Sequence, residues 1–129
     1  MVKLAIDKLV IFGVGLIGGS FALALKSAGA VRQVLGAGRN PANLGKALER
    51  GVIDGVAEPL PEALRGANLV LLAVPVGQTD GVMARIAPCL DGRTVVTDAG
   101  STKRDVIAAA RRHLASRSGC FVPAHPIAG

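Results

Sequence analysis

The stretch Lys8-Leu9-Val10-Ile11-Phe12-Gly13-Val14-Gly15-Leu16-Ile17-Gly18-Gly19-Ser20 decides the fold. Its first five residues are a short, largely apolar run ending at glycines, the pattern of a strand buried on both faces. Beyond the glycines, Ile17, Phe21, Ala24 and Ala28 recur at helical spacing, so a helix follows and stops near Gly29. Between strand and helix lies a G-x-G-x-x-G loop. Gly13 allows the tight turn, Gly15 lets backbone approach a pyrophosphate, and Gly18 permits close packing of helix on strand. The free N–H groups and positive dipole end of the helix complete an anion cradle, and Leu16 and Ile17 join the candidate cofactor contacts. The motif alone is short and common. The strand before it and the helix after it turn it into a dinucleotide-binding signature.

Outward from this loop the chain alternates strand and helix. Residues 33–37 read as a second strand, and Asn40-Pro41 as an N-cap with proline opening a helix that runs to about Gly51. Residues 55–57 read as a short third strand, followed by one helical turn around Pro61 to Leu64. Leu69-Val70-Leu71-Leu72-Ala73-Val74 is the strongest strand, stopped by Pro75. Thr79, Met83 and Ile86 mark a helix ended by Pro88. Residues 94–97 form a strand, and Thr102 with Asp105 a capping box opening a helix through Val106, Ala110 and Leu114. Residues 120–122 read as the last strand. The whole predicts an α/β fold: a doubly wound parallel sheet of Rossmann type, ordered 3-2-1-4-5-6, with residues 1–129 as one domain.

Composition agrees. Half of the 129 residues are hydrophobic but only 2% are aromatic, so the core is built from Val, Leu, Ile and Ala, as a helix-covered parallel sheet requires. No apolar run approaches the ~18 residues of a membrane span, and the N-terminus is too short and charged for a signal peptide, so a cytoplasmic protein without membrane contact is expected. Cys89 and Cys120 read as small core residues, and no metal site is indicated. The net charge of +6 is concentrated in residues 103–117, which carry a local excess of +4. Without aromatic side chains there to stack bases, nucleic acid is not the expected partner. A solvated helix face, or attraction of anionic cofactors and substrates, fits better. His113, beside Arg111 and Arg112, reads as a surface residue.

The end of the second strand bears on which cofactor binds. NAD-preferring sites carry an acid there for the ribose hydroxyls. Here the stretch is Gly36-Ala37-Gly38-Arg39-Asn40. The acid is missing, and Arg39 is suited to a 2′-phosphate or to stacking on adenine. NADP is therefore favoured, with NAD as the alternative.

Ligands of such sheets sit at the carboxyl ends of the strands. Three loops there stand out: Ala73-Val74-Pro75-Val76, where Val74 and Pro75 leave room for a nicotinamide ring, Asp98-Ala99-Gly100-Ser101-Thr102-Lys103, and Ala124-His125-Pro126-Ile127-Ala128-Gly129. Together with the glycine loop, they make the chain resemble the nucleotide-binding half of prephenate/arogenate dehydrogenases over essentially its whole length. Val52-Ile53-Asp54 fits the same family. The G-S-T-K and H-P-I-A-G pair, in this order, is the specific part.

The resemblance implies oxidative decarboxylation of prephenate or arogenate in tyrosine biosynthesis, with hydride passing to NAD(P). It implies His125 as the catalytic histidine and Ser101 as the serine supporting it. A neutral imidazole suits the task, accepting the proton of the substrate hydroxyl as a carbonyl develops. It also implies a second, mostly helical domain for substrate binding and dimerisation. The chain stops four residues after His125, so it is expected to be the cofactor-binding part, inactive alone and dimeric only with that domain. Other readings of the same residues are another two-domain NADP-dependent reductase or hydroxyacid dehydrogenase, or a non-catalytic dinucleotide-binding module.

Overall fold

Strand β1 (Ile6–Phe12) has its last four side chains buried, and consecutive ones belong to different cores. Leu9 and Ile11 enter one hydrophobic cluster, Val10 and Phe12 the other, as the two-residue repeat of a pleated strand dictates. β1 therefore lies inside a sheet covered on both faces. The computed structural model describes residues 6–90, 93–99, 103–114 and 121–123.

β2 (Val31–Ala37) and β4 (Leu69–Leu72) flank β1 in parallel, with Leu9 opposite both Val34 and Leu69. β3 (Gly55–Val56) extends the sheet beyond β2, and β5 (Val95–Asp98) and β6 (Phe121–Pro123) extend it beyond β4. The order is β3-β2-β1-β4-β5-β6 with all pairings parallel, as the alternation of elements predicts. Helices α1 (Leu16–Ser27) and α2 (Pro41–Glu49) cover the face where Ala22, Ala47 and Ile53 pack on Leu9 and Ile11. Helices α3 (Leu60–Leu64), α4 (Val76–Ile86) and α5 (Lys103–His113) cover the other, with Leu64, Met83, Ile86 and Leu114 against Phe12 and Leu72. The chain winds outward from β1 to β3, then crosses back to β4. The carboxyl ends of β1 and β4 thus flank the crevice where strand order reverses, the usual ligand position in such sheets.

Several boundaries differ from the sequence reading. β1 and β2 begin two residues early, at Ile6 and Val31. Their first residues include the exposed Asp7 and Arg32, whose carboxylate and guanidinium approach to 3.9 Å, so polar strand ends lie outside the apolar runs. β4 stops at Leu72 rather than Val74; Ala73 N makes one further bond to Phe12 O at 2.7 Å, and its carbonyl lies against Gly13. β5 is shifted by one residue and ends at Asp98. α4 ends at Ile86, just ahead of Pro88 as expected, and Pro88 sits within a 3₁₀ turn, Ala87–Cys89, that continues from it. Cys89 is half-buried and packs against the core. Cys120 and Thr102 lie outside the described residues.

Asp54 compensates for the shortness of β3. Val34, fully buried in β2, turns both backbone groups toward that edge. Its carbonyl accepts from Asp54 N at 2.7 Å, and its N–H donates to Asp54 Oδ2 at 2.8 Å. The other carboxylate oxygen, Oδ1, holds Lys26 Nζ of α1 at 2.9 Å. Burial opposes ionisation of this carboxyl, but the Lys26 hydrogen bond, the Val34 N–H and the Lys26 charge together lower its pKa. One side chain thus replaces a missing stretch of strand and ties helix to sheet.

Candidate functional site

The glycine loop has the shape its residue types require. Gly13 adopts φ +94°, a left-handed conformation that disfavours side chains. Its N–H donates to Ala37 O at 2.8 Å, and a Cβ there would run into the Ala73 carbonyl. Gly18, in the first turn of α1, is buried against the sheet, where a Cβ would collide with Gly13 O and press within 3.1 Å of Ile11 Cγ2. Gly15 is different: among the described residues, a Cβ there would meet no atom within 4 Å. Two glycines are needed for packing, and the third keeps open a space the protein does not fill.

That space lies at the start of α1. The first bond closing the helix runs from Gly19 N to Gly15 O at 2.8 Å. No side chain caps Gly15, and the first turn contains no acid. Among the described residues, the N–H groups of Leu16, Ile17 and Gly18 have no backbone acceptor. α2 makes the contrast, since Asn40 Oδ1 accepts from Ala42 N at 2.9 Å and Asn43 N at 3.3 Å. Of the two helix starts, only that of α1 retains free donors for an anion.

The loop opens onto a cleft of about 820 Å³ at the carboxyl ends of β1 to β4, within the ~300–1,000 Å³ usual for small-molecule sites. Residues 13–15, 37–40, 56–58 and 73–75 form its rim, and one face of α4 forms a wall. Of the expected cofactor contacts, Gly13, Gly15, Arg39, Val74 and Pro75 line it. Leu16 and Ile17 stand beside it, 87% and 57% exposed, and Gly18 packs beneath it. Ser101 and His125 lie outside the described residues. The strands preceding them end level with β4, Leu72 opposite Asp98 and Asp98 opposite Pro123.

The cleft also holds charges the sequence reading missed. Glu58 and Arg85 line it along with Arg39. All three are exposed, and none forms an ion pair among the described residues. Although the end of β2 lacks an acid, a carboxylate does stand in the same cleft, just beyond β3. Its position at a strand's carboxyl end, the argument that singled out Arg39, was signal enough to find it. Arg85, at the far end of α4, gave no such signal.

His113 corrects another expectation. Rather than a plain surface group, its side chain is 25% exposed, with Nε2 3.0 Å from Asp80 Oδ1 on α4. The same oxygen accepts from Arg112 Nη2 at 2.6 Å and Nε at 3.1 Å. The Arg112 hydrogen bond lowers the Asp80 pKa, opposed by desolvation and helped by the His113 hydrogen bond and the two positive charges. This cluster fastens α5 to α4. Among the described residues, no group of His, Cys, Asp and Glu is placed to hold a metal, and no helix is long and apolar enough to cross a membrane.

Comparison with known proteins rests on more than the glycine loop. The profile of the prephenate dehydrogenase nucleotide-binding domain matches residues 21–129, a segment that begins after the loop. The prephenate dehydrogenase of Lactococcus lactis subsp. cremoris is 36% identical over 95% of this chain and 34% of its own length. The crystal structure of A. aeolicus prephenate dehydrogenase, in complex with hydroxyphenyl propionate and NAD+, superimposes with a TM-score of 0.86. It is 32% identical and covers 98% of this chain and 43% of that one. Synechocystis arogenate dehydrogenase follows, with a TM-score of 0.80 at 29% identity over 95% of this chain and 41% of that one. The chain spans about a third of the length of the curated relatives it matches. Fold, strand order, glycine cradle and profile agree, and the chain belongs to the prephenate dehydrogenase nucleotide-binding domain family.

Proposed function

We propose that this chain is the cofactor-binding part of a cytoplasmic dehydrogenase that oxidatively decarboxylates prephenate or arogenate, using NADP in preference to NAD. The observation that carries the reading is the uncapped start of α1 beneath an open Gly15, at the head of a cleft of dinucleotide size. The loop fits a pyrophosphate, since three N–H donors and a helix dipole face a space that no described side chain fills. Val74 and Pro75 would flank the nicotinamide end and Arg39 the adenosine end. When bound, the oxidised nicotinamide supplies an acceptor for the hydride that leaves the hydroxyl-bearing ring carbon of the substrate. The A. aeolicus relative, whose crystal contains NAD+ and hydroxyphenyl propionate, supports this class of ligands.

His125 and Ser101 carry the rest of the chemistry in this reading. The His125 imidazole accepts the substrate hydroxyl proton as the C–H bond breaks and a carbonyl forms. Ser101 holds the ring in the tautomer that leaves the accepting nitrogen bare. The bond to the ring carboxylate then breaks, CO₂ departs, and its electron pair completes an aromatic ring. Positive potential from the region around Lys103 favours an anionic substrate. We assign residues 1–129 to one domain, and substrate closure and dimerisation to a second domain of the full-length protein. That domain would cover Leu16, Ile17 and Val76, which are large, apolar and exposed here.

Arg39 and the acid-free end of β2 support NADP, because a guanidinium pairs with a 2′-phosphate that a carboxylate would repel. The test is turnover by the full-length protein, crossing prephenate and arogenate with NADP and NAD. Activity with at least one substrate and higher kcat/KM for NADP are expected. His125→Asn should lower kcat about 100-fold or more while sparing cofactor affinity. Absence of turnover on both substrates would overturn the activity, and a tenfold preference for NAD would overturn the cofactor assignment.

A further inference from the structure

Glu58 and Arg85 remain unused by the phosphate and nicotinamide contacts. Glu58 follows Ala57, whose N–H donates to Gly36 O at 2.8 Å and carries the β3 edge up to the level where β2 ends. Arg85 comes from the last turn of α4 on the cleft's other wall. Val56, Ala57, Leu60 and Val82 give the same cleft an apolar lining on β3, α3 and α4. Neither charge is neutralised by a neighbour among the described residues, although both border one cleft. An apolar slot edged by one group that only accepts hydrogen bonds and one that only donates is complementary to a flat heteroaromatic ring with the opposite pair on its rim. The edge of a 6-aminopurine has that pair, an exocyclic N–H donor beside the N1 acceptor. A 6-oxopurine reverses it, placing an oxygen acceptor beside an N1–H donor.

We propose that Glu58 and Arg85 read the base of the dinucleotide, with the carboxylate accepting from the adenine 6-amino group and the guanidinium donating to its N1. The proposal rests on the reading that this cleft holds the cofactor's adenosine end. It gives the two residues a role separate from Arg39, which answers to the ribose phosphate. Base identity and 2′-phosphate identity are then recognised by different side chains and can be changed independently.

The test is calorimetric titration of the full-length protein with NADP+ and with its deamino counterpart, in which hypoxanthine replaces adenine. Hydrogen bonds to charged groups of this kind are worth about tenfold or more in affinity, so the wild type is expected to bind the adenine form at least tenfold more tightly. Glu58→Gln is the diagnostic variant. Its amide can accept from an amino group or, flipped, donate to a 6-oxo group, so the preference should fall at least about threefold from the wild-type value, with the adenine form still bound and Arg85 still favouring a bare N1. Arg85→Met should also reduce the preference, by weakening the adenine form. Both side chains are exposed, so melting temperatures of the variants should stay near that of the wild type. Equal wild-type affinity for the two forms, or an undiminished preference in Glu58→Gln, would overturn the proposal. Failure of the wild type to bind either form would overturn the underlying reading of the cleft, and the proposal with it.

Discussion

At the scale of single residues, Asp54 shows how much one side chain can replace. A parallel sheet needs a neighbour for every backbone group facing its edge, yet β3 offers only two residues beside β2. The Asp54 carboxylate takes the Val34 N–H that a longer strand would have taken, and its charge holds Lys26. Asp54→Ala leaves that N–H, on a fully buried residue, without its acceptor. The expected loss is about 1–3 kcal/mol of stability, read as a lower denaturant midpoint with an unchanged slope. An unchanged midpoint would mean that water replaces the carboxylate at no cost. Val52-Ile53-Asp54 was recognisable in the sequence as a family feature, but its purpose was not. A carboxylate that completes a β-ladder looks, in one dimension, like any loop acid.

At the scale of elements, apolar patterning located the strands and missed their polar beginnings. Ile6-Asp7 and Val31-Arg32 extend β1 and β2 into solvent, where an alternating polar residue carries no burial signal. Ala73 and Val74 caused the opposite error: Ala73 N still donates to Phe12 O at 2.7 Å, but its carbonyl lies against Gly13 and β4 has already ended at Leu72. The α4–α5 fastening was wholly hidden, because Asp80 and His113 are 33 residues apart. Its energetics can be tested through pH. The Asp80 carboxyl is held below its ordinary value of 3.8 when folded. The unfolded chain therefore takes up the proton first as pH falls. The stabilisation from this group is full above the ordinary value and is lost as pH drops through the lower, folded one. The gap in melting temperature between wild type and Asp80→Asn should be present at about pH 5 and close below 3.8. A gap that persists unchanged, or opens only in acid, would contradict this assignment.

At the scale of the whole molecule, strand order was legible because few topologies suit a strand–helix alternation with right-handed crossovers and a glycine loop after its first strand. Two apolar faces on β1 leave it no place but the interior. The cleft was legible in part, for the same reason: any residue at a strand's carboxyl end borders it. That rule found Arg39, Val74 and Pro75 and would have found Glu58, but not Arg85, which reaches the cleft from the end of a helix. The central claim is that the space above the open glycine belongs to the pyrophosphate of a dinucleotide. Gly15→Ala is the variant to use, because the added methyl meets nothing among the described residues. Titration of NADP+ into the full-length wild type and variant, alongside their thermal melts, is the measurement. The expected result is at least about a tenfold weaker Kd at an essentially unchanged melting temperature. Equal affinity in the two proteins would contradict it.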